Sequence, residues 1–146
     1  MDDYDKYEKD CKKIKKANKL LLNEFEASLE SSGLSIKTID KHLSNIHFYI
    51  NEFLLYEDAI EAKDGIDDIG MFLGYWFIRK AMWASQASIK SNATSLKKFY
   101  TFLYKKKLIK KDDLNDLKET IKEGMPEWLA TLNRYDDPSI EDVWQL

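Results

Sequence analysis

The amino-acid sequence predicts an all-α protein, a compact bundle of four to five helices followed by a C-terminal helical extension. Only five glycines and two prolines occur in 146 residues, which indicates few turns and long regular elements. Valine is nearly absent, and no stretch alternates apolar and polar residues as a half-buried strand does. With 44% hydrophobic residues, a chain of this length can bury one sizeable core.

The first predicted helix covers residues 4–31 and carries an apolar seam at heptad spacing. The seam consists of Tyr4, Tyr7, Cys11, Ile14, Leu21 and Phe25, with the polar Asn18 among them. In one interpretation, the second half of the helix packs on the domain and the first turns fray. In the other, residues 1–19 are an arm that joins two copies of the chain, and Asn18 sets the register. So few heptads make a marginal coiled coil, which favours the first interpretation.

A second helix is predicted from Ile36 to about Leu55, after Gly33 ends the first helix and Ser35 caps the second. Its apolar residues share one arc: Ile39, Leu43, Ile46, Ile50, Phe53 and Leu54. The opposite arc holds Lys37, Lys41, Ser44, Asn45 and Phe48, and Thr38 lies in the first turn. Phe48 is therefore expected to point outward, over a neighbouring element or toward a partner.

A third helix is predicted over residues 67–80. It is apolar nearly all round, so we expect it to be the most buried element. Gly70 and Gly74 lie one turn apart in it and favour the close approach of another helix.

The next stretch, residues 85–111, is predicted to be one amphipathic helix. At 100° per residue, an arc of about 120° is apolar and a separate arc of about 100° is basic and hydroxylated. The apolar arc contains Ile89, Ala93, Leu96, Phe99, Tyr100 and Leu103. The other contains Lys90, Thr94, Lys97, Lys98, Thr101 and Lys105. One face suits a core, and the other suits an anion, above all a phosphate backbone.

Charge is divided along the chain, although the total is only −3. Residues 1–69 carry −6, residues 70–111 carry +10 without any acid, and residues 112–146 carry −7. The local field of a surface decides what it attracts, more than the net charge of the chain does. Lysines on a helix face are often only solvated surface, but a long stretch without acids departs from the usual mixture of signs.

The acidic segment, residues 112–146, is predicted to be a helical extension and tail beyond a core domain of residues 20–111. Asp112 or Asp113 is expected to cap a helix that ends near Leu132 and is interrupted at residues 124–126, Gly-Met-Pro. One hypothesis places the acidic tail over the basic face, where it would block access to that face.

The sequence contains no recognisable catalytic arrangement. His42 and His47 lie about 140° apart around a helix, so they are not expected to share a metal. No nucleophile elbow, phosphate-binding glycine loop or metalloprotease motif occurs, and the single Cys11 excludes an intramolecular disulfide. We expect no enzyme activity, no cofactor and no metal. Without a signal-peptide pattern or a long apolar run, the expected location is the cytoplasm, with no membrane partner.

Two blocks of sequence match the helical pattern of a known family. They are FEASLESSGLSIKTIDKHLSNIHFYINEFL at residues 25–54 and IKSNATSLKKFYTFLYKKKLI at residues 89–109. With the apolar helix between them, they resemble the N-terminal core-binding (SAM-like) domain of tyrosine recombinases and phage integrases. The resemblance implies a helical bundle that clamps duplex DNA, with its second and fourth helices across the major groove. It places on DNA the residues Thr38, Lys41 and Asn45 of one helix and Lys90, Thr94, Lys97 and Thr101 of the other; periodicity adds Lys37, Lys98 and Lys105.

The chain departs from that family where catalysis is performed. The family places Asn-Pro soon after the residues that match Leu108 and Ile109, whereas Lys-Lys-Asp-Asp follows here. Only Arg79 and Arg134 are present, and neither histidine is followed by arginine three residues later. We therefore expect a non-catalytic module that binds double-stranded DNA in integration or recombination. A separate recombinase, or a second copy joined through the first helix, would be a further partner.

The alternative function is that of an adaptor, which keeps the helical scaffold but binds a protein in place of DNA. The acidic terminal segments, the heptad-like first helix and Trp144 favour this alternative. Phe48 and Phe102 would then be exposed contact residues.

Overall fold

The computed structural model describes residues 2–136, and every regular element in that range is helical. The α-helices are α1 (Asp3–Ser31), α2 (Ile36–His47), α3 (Ile69–Met71), α4 (Phe77–Lys80), α5 (Gln86–Lys105) and α6 (Lys111–Asp136). Two π-helical turns, Phe48–Phe53 and Phe72–Trp76, and the 3₁₀ segment Ala62–Asp68 complete the fold. Residues 69–80 form one continuous rod, which we call the central helix. The prediction of an all-α bundle is confirmed.

One hydrophobic core joins these helices, and its largest fully buried side chains include Phe25, Tyr49, Phe72, Phe77, Phe99 and Tyr100. The Tyr49 hydroxyl donates to the Gly65 carbonyl at 2.6 Å. The Tyr100 hydroxyl donates to the Ala62 carbonyl at 2.7 Å. Because both acceptors belong to the 3₁₀ segment, the two buried tyrosines fix the connection between α2 and the central helix against the core.

Contacts within the same chain hold α1 along its length. Asn18 is buried, and its Nδ2 donates to Asn51 Oδ1 at 2.8 Å and to the Ile50 carbonyl at 3.3 Å. Near the N-terminus, the Tyr7 hydroxyl donates to the Leu55 carbonyl. These bonds favour the interpretation in which α1 packs on the domain, but the expected fraying of its first turns is wrong, because Tyr7 is held as well. They also occupy the residue that would set the register of a dimer.

Beyond α2, a π-helical turn carries the helix to Phe53, close to the predicted end. The Leu54 N–H donates to the Tyr49 carbonyl, five residues back, at 3.0 Å. Phe48 packs edge-on against Trp83, with ring centroids 5.3 Å apart, and also contacts the central helix. Phe48 therefore covers a neighbouring element, which is one of the predicted alternatives, and the alternative of an exposed contact is wrong. Periodicity within one helix cannot show which neighbouring element covers a face.

The central helix exposes one stripe and packs against other elements on its remaining sides. Its buried residues are Ile69, Phe72, Leu73, Phe77 and Ile78. Met71 and Tyr75 are 57% and 49% exposed, so the expectation of burial nearly all round is wrong for this stripe. On the side that packs against α6, Gly74 lies against the indole of Trp128. The close helix approach expected for the glycines is confirmed at Gly74.

α6 is continuous through Pro126, so the predicted interruption at residues 124–126 is wrong. Ile121, Trp128 and Leu132 are buried on both sides of the proline, and their packing offsets the hydrogen bond that proline cannot donate. The helix also begins earlier than predicted, at Lys111. Asp113 is therefore not the capping residue itself; its Oδ2 reaches back to accept from the Lys110 N–H at 3.2 Å.

α5 begins where predicted, with Ser85 as its cap, but it ends at Lys105 and is shorter than predicted. The Leu108 N–H donates to the Leu103 carbonyl at 3.0 Å, and the Lys107 N–H donates to the Tyr104 carbonyl at 2.9 Å. Lys107 has a φ of +64°, so this helix end is a Schellman motif with lysine in the left-handed position. The helical pattern of the sequence extends past Lys105, and a lysine at position 107 gives no signal for a helix end. The predicted helix was therefore too long.

Candidate nucleic-acid interface

α2 and α5 pack side by side through a seam of short polar side chains. Asn45 Nδ2 donates to Ser91 Oγ at 3.1 Å and to Ser95 Oγ at 2.9 Å. His42 is 7% exposed, and its Nδ1 is hydrogen-bonded to the same Ser95 hydroxyl at 2.7 Å. The two helices that the resemblance places on DNA are therefore neighbours, and this seam fixes their relative position.

These two helices carry the lysines predicted from the sequence. They are Lys37 and Lys41 on α2, with Lys90, Lys97, Lys98 and Lys105 on α5, and we call them the lysine surface. Lys97 is half-buried and the others are exposed. Within residues 2–136, none of them forms an ion pair, whereas the neighbouring Lys106 is paired with Glu24 at 2.8 Å. Their ammonium groups are thus available to an external anion.

The pKa of His42 indicates a positive potential at the seam. Burial lowers the pKa of His42 below its ordinary value of 6.5, and the charges of Lys98 and Lys41 lower that pKa further. Lys98 belongs to α5 and Lys41 to α2. Both helices therefore contribute positive potential at His42.

The polar residues predicted beside the lysines are engaged within the fold. Thr94 and Thr101 each donate from Oγ1 to the carbonyl four residues earlier, at 3.1 and 2.7 Å. Thr38 Oγ1 is hydrogen-bonded to the capping Ser35 hydroxyl at 3.0 Å. Both bonds that Asn45 Nδ2 donates are made in the seam. The lysines are therefore the main donors left for a ligand, and Asn45 positions the helices.

A cleft between the C-terminal end of α1 and α5 extends the lysine surface. Its lining includes Ser28 of α1 and Ser32, which caps the C-terminal end of that helix, together with Lys98 and Lys105 of α5. Sequence reasoning missed these serines because the end of α1 was interpreted only as a helix stop. Phe102 also lines the cleft and is half-buried, with its ring centroid 5.4 Å from that of Phe25. The prediction of an exposed Phe102 is wrong, because α1 covers it.

The arrangement supports the binding of a polyanion, since several ammonium groups are presented together. In the part of the chain that the structure describes, no group of three or more metal-ligating side chains is placed to hold an ion. No helix of that part is long and apolar enough to span a bilayer. Comparisons with protein-family models, curated proteins and solved structures find no match to this chain. The assignment of the lysine surface therefore depends on its own geometry and charge.

Proposed function

We propose that this protein is a non-catalytic DNA-binding module and that the lysine surface contacts the phosphate backbone of duplex DNA. The observation that carries the proposal is the set of lysines without ion pairs on two helices fixed side by side by Asn45. Their positive field persists in a chain whose net charge is −3. Such a field attracts an anion to one face of the protein, although the net charge of the chain would repel that anion.

The spacing of the lysines along α5 suits a groove of duplex DNA. Lys90, Lys97 and Lys105 recur every seven or eight residues, which corresponds to steps of about 10–12 Å at the rise of an α-helix. The major groove of B-form DNA is about 12 Å wide. A helix that crosses the groove would therefore bring successive ammonium groups near the phosphates on its two sides.

The resemblance to the core-binding domain of tyrosine recombinases supports the same two helices as the contact. It suggests a role in DNA integration or recombination beside a separate recombinase that supplies the catalytic residues. We propose the cytoplasm as the location. Lysine offers less base readout than arginine or asparagine, so we expect weak sequence preference.

Titration of a fluorescent duplex with the protein, at several salt concentrations, tests the proposal. Five or six lysine–phosphate contacts predict a log–log slope of affinity against salt of about −5. Combined replacement of Lys90, Lys97 and Lys98 by glutamate is expected to abolish binding. The matched control reverses the charge of three exposed lysines of α1, Lys12, Lys13 and Lys16, and is expected to have a much smaller effect.

Two outcomes would contradict the proposal. One is the absence of salt-sensitive binding below about 50 mM salt. The other is an equal loss of binding in the α1 control, which would show that only the net charge of the chain matters.

A protein-binding adaptor is the second candidate, and exposed apolar side chains near the start of α5 favour it. Met82 is fully exposed, and Trp83 is 57% exposed. These residues replace Phe48 and Phe102 as the contacts that an adaptor would use. An adaptor would keep its partner after charge reversal on α5 and lose it when Met82 and Trp83 are replaced by alanine.

A further inference from the structure

A second cleft shares no residue with the lysine surface and lies where the two π-helical turns end. Phe53 and Trp76 are the last residues of these turns, and their rings meet edge-to-face with centroids 5.3 Å apart. The Tyr56 ring meets the same indole at 5.7 Å. Together they form an aromatic wall in a cleft of about 390 Å³. π-Helical turns are rare in proteins, and those that occur are often found at functional sites. This cleft is therefore a candidate site.

Carboxylates complete the lining of the cleft. Glu57, Asp58 and Asp68 line it, and no lysine or arginine does. Among the described residues, none of these three carboxylates forms an ion pair. Burial raises the pKa of Asp68, and the neighbouring Asp67 raises that pKa further. The cleft therefore holds carboxylates that form no ion pair within the described part of the chain. The cations beside it, Arg79 and Lys80, lie over the rings of Tyr75 and Tyr56, which also line the cleft.

We propose that this cleft binds an organic cation, an alkylammonium group of the kind that ends a lysine side chain, between the aromatic wall and Asp58 and Asp68. The face of an aromatic ring attracts an ammonium group, and a nearby carboxylate adds a direct charge interaction. The alkyl part of such a ligand would lie on Phe53 and Trp76. Access is open, because Tyr56 at the edge of the cleft is 54% exposed.

One contact in the structure already shows this chemistry. Lys80 Nζ lies 5.3 Å from the centroid of the Tyr56 ring and 3.4 Å from its hydroxyl oxygen. Lys80 is not among the residues that line the cleft. Because the ammonium group of Lys80 lies beside Tyr56, it would repel an incoming cation and compete with it for the Tyr56 ring. Removal of Lys80 should therefore improve binding.

Titration with n-butylammonium, followed by the ¹H–¹⁵N signal of the Trp76 indole, tests the proposal. A Trp76→Phe variant assigns the signal among the tryptophans. We expect a shift that saturates at millimolar concentrations, and no saturable shift with 1-butanol, which has a similar shape without the charge. Asp68→Asn should weaken binding about tenfold, and Lys80→Gln should strengthen it about threefold. The matched control Asp67→Asn removes an adjacent carboxylate that does not line the cleft, and its effect should be much smaller.

A shift that stays linear up to about 100 mM ligand, or an equal response to 1-butanol, would overturn the proposal. An equal loss of affinity in Asp67→Asn and Asp68→Asn would also overturn it, because it would reveal a diffuse charge effect. A second titration with a Gly-Lys-Gly peptide distinguishes the source of the cation. Tighter binding of the peptide assigns the cleft to a lysine of a partner protein, and tighter binding of butylammonium assigns it to a free amine.

Discussion

The indole of Trp128 lies directly against Gly74, so that a Cβ atom at position 74 would come within 2.6 Å of Trp128 Cδ1. The same indole lies over Gly124 of its own helix, where a Cβ atom would be 2.3 Å from Cζ2. Trp128 is only 8% exposed. The indole therefore fills the groove between the central helix and α6, and the absence of side chains at both glycines is what makes room for it.

Gly74→Ala is expected to lower the free energy of unfolding by about 1–3 kcal/mol, because the added methyl group overlaps a buried ring. Gly70→Ala is the matched control, since a Cβ atom there would lie at 3.9 Å, an ordinary contact. That variant should be neutral or gain up to about 1 kcal/mol from helix propensity. Urea unfolding followed by circular dichroism measures both. Similar effects of the two substitutions would contradict the fit of Trp128 against Gly74.

Lys107→Gly is expected to raise the free energy of unfolding by about 1 kcal/mol, because glycine adopts a φ of +64° without the steric cost that lysine bears. Lys107→Ala removes the same charge and keeps the Cβ atom, so it should give no such gain. Thermal and urea denaturation of the two variants separate the backbone effect from the charge effect. Equal stabilisation by both variants would assign the effect to charge.

Replacing His42 is expected to change how stability depends on pH. Its pKa is below 6.5 in the folded protein and near 6.5 in the unfolded chain, so between these values the unfolded state binds more protons. The free energy of unfolding should therefore fall as the pH drops below 6.5 and level off below the folded pKa. His42→Gln should remove this component in urea titrations between about pH 5 and 7.5, whereas the exposed His47→Gln should retain it. Identical pH profiles of stability for the two variants would show that His42 in the seam does not cause this pH dependence.

Removal of residues 137–146 is expected to strengthen DNA binding several-fold at low salt, because it deletes Asp137, Glu141 and Asp142. The predicted contact between the acidic tail and the lysine surface lies outside the described residues. α6 continues beyond Leu132 to Asp136, so the truncation belongs after Asp136. Neutralisation of the three acids in the full chain should reproduce the effect. Unchanged affinity in both forms would exclude masking by the tail.

Signals that act over three or four residues predicted much of the fold. Gly33 adopts a φ of +79°, and Ser35 and Ser85 cap α2 and α5, because each of these roles is decided by the nearest backbone groups. The end of α5 could not be predicted in this way. Lys107 takes a conformation that usually belongs to glycine, and nothing in the local sequence indicates it.

The sequence predicted the exposed lysines of the candidate interface but not the seam between α2 and α5. Periodicity placed Lys90, Lys98 and Lys105 on one exposed face of α5, and the structure has them exposed. The seam was not predicted, because Asn45 bonds to serines 46 and 50 residues further along the chain. A helical pattern records which residues share a face, but it does not record which helix that face meets.

α1 is synthesised before every group that it binds. The Asn18 acceptor at Ile50 follows 32 residues later, and the Tyr7 acceptor at Leu55 follows 48 residues later. Phe25 packs on Phe99, which lies within α5. In a chain growing on the ribosome, α2 can therefore cover part of the apolar side of α1, but the part around Phe25 stays uncovered until α5 has emerged. Burial of Phe25 and assembly of the lysine surface then become the same folding event, before α6 completes the core.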